Sequence, residues 1–335
     1  MLPNGIVYEA KDGLRPNTKE IYFKFIIETD NDLIKKSDLG KTNQICRVCN
    51  DNGKFQTWNV FEMLTGCSDD FKYFICPECL TLQIDNYPSN DLKYYEHDTY
   101  RYKRPDIAPV TPGVPIDKRM ILEIGCGSGA WLCNLASYCG CVNVYGCDEH
   151  ILDGDIIYPN GVKLYKKTLH ELEGEYDVIM LNNSINRYQN PHAVFKTLRR
   201  LLKPPSMQKN VEEPKIQIIT QRFPNVAWDI FKSYWWQINP PRHYYLYSEK
   251  SIKYLAKLYG LYVSDSKPVD TSLPMFVSRQ YQMGYIYNDI QKAFADNYAY
   301  DFIDTQIAIN YFRILSETAK LTGENDMVEY TLVNE

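Results

Sequence analysis

The sequence predicts an α/β protein: a doubly wound, mostly parallel sheet with a small zinc ribbon before it and a helical tail behind it. Three observations carry this. Strand-like and helix-like stretches alternate from residue 119 onward, the order expected of βαβ units. A glycine-rich turn, Ile121-Leu-Glu-Ile-Gly-Cys-Gly-Ser-Gly129, joins a strand pattern to a helix pattern. Two C-x-x-C knuckles, Cys46-Arg-Val-Cys49 and Cys76-Pro-Glu-Cys79, stand ahead of that turn.

Taken in order, residues 1–44 read as an N-terminal extension with one strand over 20–27. Residues 45–84 hold the knuckles. Residues 85–115 form a connector, and Pro105, Pro109, Pro112 and Pro115 discourage regular structure near its end. The main domain, 116–280, is expected to place strands over 119–124, 142–147, 162–166, 176–181 and 215–220. Helices are expected over 129–138 and 190–203. A helix over 248–259 has Ser248 as N-cap and Gly260 as its stop. Two further strands are expected over 261–265 and 274–279. The tail, 281–335, has apolar residues at helical spacing: Ile290 and Phe294, then Ile303, Ile307, Tyr311 and Ile314.

Composition excludes several classes. With 335 residues the chain has room for about two domains. Hydrophobic residues make up 44% and charged residues 24%, normal for a globular protein. A formal charge of -5 gives no bulk attraction to phosphate, so nucleic acid is not the expected partner. No apolar run is long enough to span a bilayer. The start, Met1-Leu-Pro-Asn-Gly-Ile, lacks the basic and apolar regions of a signal peptide. Four of the ten cysteines fall in C-x-x-C pairs, which favours metal ligation in a reducing, cytoplasmic setting over disulfides.

Each knuckle can close a tight turn whose backbone amides face the sulfurs. Cys46, Cys49, Cys76 and Cys79 together offer four soft anionic ligands, which suits tetrahedral Zn2+. Four thiolates leave no open coordination position, so the expected role is structural. Buried or redox-active cysteines without metal are the competing reading.

The glycine turn fits a nucleoside cofactor. Gly125, Cys126, Gly127 and Gly129 carry the chain from the strand into the helix, and glycine lets a ligand approach without a Cβ in the way. Gly125-x-Gly127-x-x-Ala130 also satisfies a relaxed dinucleotide fingerprint. Two features favour S-adenosylmethionine: the tighter G-x-G-x-G spacing, and the acid Glu123 before the loop, which would repel a pyrophosphate and not a sulfonium or ammonium. Asp148, ending the next strand, stands where a carboxylate accepts both ribose hydroxyl protons in either cofactor.

On these residues the chain resembles the class I S-adenosylmethionine-dependent methyltransferases. It is most similar to the bacterial group with an N-terminal zinc-binding segment, many of whose members modify sugars or secondary metabolites. Leu122–Gly129 corresponds to the cofactor loop, Tyr145–Asp148 to the ribose strand and Tyr176–Asn182 to the fourth strand. Asn190–Phe195 with Leu198–Pro204 corresponds to a helix and turn, and Pro241–His243 with Tyr247–Leu255 to a block before the final strands. The resemblance implies seven strands with the last antiparallel. It departs in one place: a Glu-His pair expected after the fourth strand is Asn186-Arg187 here, which puts a base at that position in doubt.

Methyl transfer is an in-line displacement in which positioning contributes much, and a hydroxyl or carbon-acid acceptor also needs a base. Of the five histidines, His243 is the candidate base, because its turn after the fifth strand should reach the carboxyl rim of the sheet. A structural histidine capping a helix or bonded to a backbone carbonyl is the alternative. His192 is expected as a solvated first-turn residue. His97, in the tyrosine cluster over 94–102, can reach over the cofactor or substrate, and its tyrosines can face the sulfonium; a packed or solvated helix face is the expected alternative. Asn182 and Asn183 end the fourth strand beside the glycine loop, and Thr168 and Leu169 sit at the level of an adenine edge. Trp228, Tyr234, Trp235 and Trp236 are core or a stacking platform. Asn239-Pro-Pro-Arg resembles the motif of exocyclic-amine methylases but stands after the wrong strand and ends in Arg242. The expected function is methylation of a small-molecule or glycan acceptor on oxygen or carbon. An RNA methyltransferase, a catalytically degenerate binding module and an NAD-dependent oxidoreductase are the competing readings.

Overall fold

Among the described residues of the N-terminal third, the strands are short and antiparallel. The computed structural model describes residues 7–8, 23–25, 40–67, 69–95, 103–151, 154–205, 212–269, 272–282, 284–287 and 302–335. Strands β1 (Val7–Tyr8) and β2 (Phe23–Phe25) pair with each other; β2 lies within the expected 20–27 strand, and β1 was not expected. His97, Ile290 and Phe294 lie outside the described residues. Strands β3 (Lys41–Thr42), β4 (Phe55–Phe61), β5 (Asp70–Ile75) and β6 (Leu82–Ile84) form the ribbon sheet around the knuckles. Along β4, Phe55 and Thr57 are buried with Gln56 exposed between them, and the phase reverses at the far end, where Val60 is buried and Phe61 exposed.

The main sheet has eight strands. Strand β7 (Asp117–Ile124) lies at its centre, with Ile121, Leu122, Glu123 and Ile124 buried in succession, as in a strand covered on both faces. It runs parallel to β8 (Cys141–Cys147), which pairs with β10 (Lys163–Tyr165), and the two-residue β9 (Ile156–Ile157) adds an antiparallel edge. On its other side β7 is parallel to β11 (Val178–Asn182), and β11 to β12 (Lys215–Gln221). Helices α1 (Ala130–Tyr138) and α2 (Pro191–Leu201) are crossovers. Apart from β9, seven strands remain, the number the resemblance implies.

A fifth ribbon strand, β13 (Tyr245–Leu246), comes from much later in the chain and pairs with β6 through Tyr245↔Gln83. One hydrophobic cluster runs without a break from Cys46, Val48, Phe55 and Phe74 in the ribbon to Ile124, Phe195 and Ile218 under the main sheet. Helix α3 (Val226–Phe231) and helix α4 (Glu249–Leu258) follow β12 and β13, and Ser248 caps α4 by accepting from the Ser251 amide, as expected. Strand β14 (Leu261–Pro268) is the opposite edge.

Two expectations change here. Residues 274–279, read as a strand, belong to helix α5 (Ser272–Gln282). Met275, Phe276, Val277 and Ser278 are all buried, and a short continuous apolar run cannot distinguish a buried strand from a buried helix. The tail holds the expected helix, α6 (Phe302–Thr322), but Ile314 is exposed while Phe312, Leu315 and Ala319 face the core. Beyond it, β15 (Met327–Asn334) inserts antiparallel between β12 and β14, so the sheet that begins at residue 117 is completed at residue 334. No helix among the described residues is long and apolar enough to cross a membrane.

Candidate active site and metal centre

The glycine turn leaves the carboxyl end of β7, where ligands bind in open α/β sheets. Gly125, Gly127 and Gly129 all take positive φ, at 73°, 56° and 71°. A Cβ on Gly125 would lie 2.4 Å from the Ser184 Cβ, so this position needs glycine for both backbone and space. The turn is tied to β8 by the Gly125 and Cys126 amides, both donating to the Cys147 carbonyl at 2.8 and 3.1 Å. Asp148, 5% exposed, completes the clamp: Oδ2 accepts from the Gly127 amide and Oδ1 from the His150 amide, each at 2.9 Å. The carboxylate is thus fixed beside the loop, as the spacing requires.

Beneath the turn lies a polar pair. Asn182, ending β11, donates to Glu123 Oε1 at 2.7 Å. Glu123 Oε2 and Asn182 Oδ1 are buried without a hydrogen-bond partner. Burial, and next the charge of Asp148, raise the Glu123 carboxyl to about 7. Two orphaned buried acceptors are a cost that a bound donor would remove.

A cleft open to solvent lies over this end of the sheet. Of the residues singled out from sequence, Gly125, Asp148, Thr168 and Leu169 line it. Thr168 is held by a capping box with Glu171, and Leu169 is buried. Glu123, Cys126, Gly127, Gly129 and Asn182 are not in its lining. The Cys126 sulfur would lie 2.6 Å from a Cβ on Gly146, which places it against β8. Asn183, at φ 53°, accepts from Gln221, whose own carbonyl takes the Asn186 amide at 2.5 Å while Thr220 donates to Asn186. Asn186 is therefore spent in a buried network, and its neighbour Arg187 lines the cleft.

Sequence reasoning gave His150, Arg187 and Tyr188 no place in the site, and named Tyr95 only as one of a cluster whose tyrosines could face the sulfonium. The Tyr95 ring stacks on His150 at 4.2 Å and lies 6.0 Å from the Arg187 guanidinium carbon, so the connector roofs the cleft. His150 carried a signal, two residues past Asp148, and Tyr95 carried one in its tyrosine cluster.

His243 is placed differently from its expected role. It does not line the cleft. It is 4% exposed, and its Nδ1 lies 2.9 Å from the Gln237 carbonyl. A carbonyl only accepts, so Nδ1 carries the proton. Burial, and then the charge of Arg187, push its pKa down to about 3. The adjacent Arg242 is buried too: it pairs with Glu62 of the ribbon at 2.8 Å and donates to the Tyr94 carbonyl, so the Asn-Pro-Pro-Arg stretch is a structural joint.

The four knuckle sulfurs all lie within 4.8 Å of one another, with Cys46–Cys79 at 3.5 Å and Cys49–Cys76 at 3.6 Å. Tetrahedral corners around an ion with metal–sulfur bonds of about 2.3 Å lie about 3.8 Å apart, so the cluster fits one zinc ion. A hydrogen bond from Cys79 holds the Cys46 thiol down to about 5, and Gln83 also donates to that sulfur at 2.9 Å. The residue after each second cysteine is left-handed, Asn50 at φ 61° and Leu80 at φ 56°. The knuckles are locked onto the main domain. His192, expected in solvent, bonds the Val48 carbonyl at 3.0 Å and the Tyr259 hydroxyl at 3.1 Å, and Ser248 donates to the Cys79 carbonyl.

No curated protein matches the chain. Solved structures that resemble it include the magnesium protoporphyrin IX methyltransferase of Synechocystis with S-adenosylhomocysteine bound, at 18% identity and TM-score 0.35 over 46% of this chain and 69% of that one. A cyclopropane synthase of Mycobacterium tuberculosis is 14% identical, TM-score 0.39, over 66% and 79%. A Haemonchus contortus N-methyltransferase in complex with phosphomonomethylethanolamine and S-adenosylhomocysteine is 15% identical, TM-score 0.40, over 92% and 74%. The family assignment rests on sequence: a methyltransferase-domain model matches residues 95–265, just over half of the chain. That span holds the glycine turn, Asp148 and every residue of the cleft except Asp91, and the chain belongs to the class I S-adenosylmethionine-dependent methyltransferases.

Proposed function

We propose that the chain methylates a small-molecule or glycan acceptor, on oxygen or carbon, in the Asp148 cleft, and that Cys46, Cys49, Cys76 and Cys79 hold a structural zinc ion. The observation that carries the reading is Asp148, bonded to the Gly127 amide at 2.9 Å at the carboxyl rim of the sheet. In this reading Asp148 accepts the ribose hydroxyls, Thr168 and Leu169 flank the adenine, and Gly125, Cys126, Gly127 and Gly129 let the cofactor approach. Glu123 with Asn182 and Asn183 faces the methionyl group, where the unpartnered Glu123 Oε2 suits an ammonium donor. S-adenosylmethionine, when bound, supplies a methyl group on an activated sulfonium. The protein supplies alignment and exclusion of water, with Tyr95 and His150 closing the cleft. The acidic ribbon residues Asp51, Asp69, Asp70, Glu78 and Asp85 offer no phosphate-binding face, which favours a small acceptor over RNA.

The test is Asp148→Ala. Calorimetry with S-adenosylhomocysteine should show affinity weakened by about 1–3 kcal/mol, the worth of charge-assisted hydrogen bonds. Unchanged affinity would remove Asp148 from the site.

A further inference from the structure

Gln83 is fully buried in β6, and its backbone pairs with Phe74 on one side and Tyr245 on the other. Its carboxamide is aimed at the first knuckle. Oε1 accepts from the Arg47 amide at 3.1 Å, and Nε2 donates to Cys46 Sγ at 2.9 Å. These two contacts fix which way round the amide lies. A backbone N–H only donates, so the oxygen must face Arg47 and the nitrogen must face the sulfur. The sulfur is therefore the acceptor, a role that a thiolate fills far better than a thiol.

The knuckle is pinned at the same place. Arg47 Nη1 and Nη2 donate to the Ile84 and Asp85 carbonyls, each at 2.6 Å, so the side chain of one knuckle residue grips the stretch just past Gln83. Two other polar side chains come near the sulfurs. Thr81 Oγ1 lies 3.2 Å from Cys79 Sγ, and the Asp51 carboxylate lies 3.7 Å from Cys76 Sγ, where it adds negative charge. Cys46, Cys76 and Cys79 are all buried. Four thiolates carry more negative charge than one divalent ion cancels. Burying that excess is costly unless donors meet the sulfurs, and Gln83 brings one.

We propose that Gln83 is a positioning residue of the metal centre: its carboxamide turns the Cys46 sulfur into the cluster as a thiolate, draws charge from it, and so sets how tightly the four cysteines hold zinc. The inference rests on the structural-zinc reading above. It adds to the site a group that lies outside both C-x-x-C motifs. Gln83 acts through Cys46 and takes no coordination position, since four sulfurs complete the tetrahedron. Strand β6 is then the element that presents the first knuckle to the metal.

Zinc affinity of the full chain, read by competition with a chromogenic chelator under reducing conditions, tests this. Gln83→Glu keeps the length and an oxygen for the Arg47 amide, but turns an acceptor toward the sulfur. Gln83→Leu removes both bonds at similar volume. Each should weaken zinc binding about 10–100-fold, the usual worth of a group that orients a metal ligand. Co2+ exchanged into the site reads the sulfur directly. Loss of the N–H donor raises the energy of the sulfur electrons, so the thiolate-to-metal charge-transfer band should move to longer wavelength in both variants. A role confined to holding Arg47 would move neither readout in Gln83→Glu. The band is read in each variant separately, so the test survives if one of them fails to fold. Zinc affinity weakened by less than about tenfold in Gln83→Glu, or an unmoved charge-transfer band in either variant, would overturn the assignment. An unmutated chain that takes up no zinc would instead strike at the metal reading, so the two failures are distinguishable.

Discussion

Glu123 is a carboxyl group held where its charge is costly, and the cost has a sign that can be measured. Burial and Asp148 raise it to about 7. Between the ordinary carboxylate range and pH 7, the folded chain keeps a proton that the unfolded chain has lost. Stability of the unliganded protein should therefore fall by a few kcal/mol as pH rises through that window and stay level above it. A cationic methionyl group favours the ionised form, so S-adenosylmethionine should bind more tightly as pH rises from 5.5 to about 7.5, releasing a proton. Calorimetry in two buffers of different ionisation enthalpy reads that proton. Since the ligand's own amine titrates at about 7.7–8.0, the difference from Glu123→Gln is the decisive quantity, and no difference would acquit Glu123. His243 poses the opposite case. A histidine with its pKa near 3 and its Nδ1 proton committed to Gln237 is a poor proton acceptor near neutral pH, and we assign it to holding the 237–244 turn. His243→Asn, whose amide can donate to the same carbonyl, should keep kcat within about tenfold. A fall of 10²–10⁴, the usual worth of a general base, would restore the catalytic role.

Elements differ in how much of themselves they write into the sequence. The glycine turn was legible because positive φ at Gly125, Gly127 and Gly129 is a local constraint, whereas the Ser184 side chain that also excludes a Cβ at Gly125 is a tertiary one. Strands β7, β8, β11 and β12 and helices α1, α2 and α4 were legible by period and caps. Helix α5 was not, because Met275 to Ser278 is buried all round and shows no face. Strand β15 carried a readable signal, Val328, Tyr330 and Leu332 inward at period two. What the sequence did not carry was its place, since an antiparallel strand inserted between β12 and β14 is chosen by tertiary pairing. The site divides the same way. Asp148 and the glycines follow from spacing along one βαβ unit, whereas Tyr95 and Arg187 reach the cleft only through packing of distant segments. His192 looked like a solvated residue because Val48, its partner, is 144 positions away.

At the scale of the whole molecule, ribbon and main domain behave as one cooperative body. A single core spans both, β13 extends the ribbon sheet from the far side, and Arg242 bridges Glu62 to Tyr94 with 1% of its surface exposed. Breaking a buried pair of this kind leaves an uncompensated charge, so the joint resists separation. Metal loss should then be felt beyond the knuckles. Structural zinc contributes roughly 10 kcal/mol to small zinc folds, and here part of that would transmit to the main sheet through Val48, His192 and Ser248. The purified chain should hold one zinc per molecule by elemental analysis. Stripping it with chelator under reducing conditions should lower Tm by about 10 °C or more while unfolding remains a single transition, and S-adenosylhomocysteine affinity should weaken with it. A substoichiometric metal content would remove the zinc centre. Two separate transitions, with the cofactor still bound at full strength after the first, would show that the ribbon is an appendage and that the shared core does not couple it to the cleft.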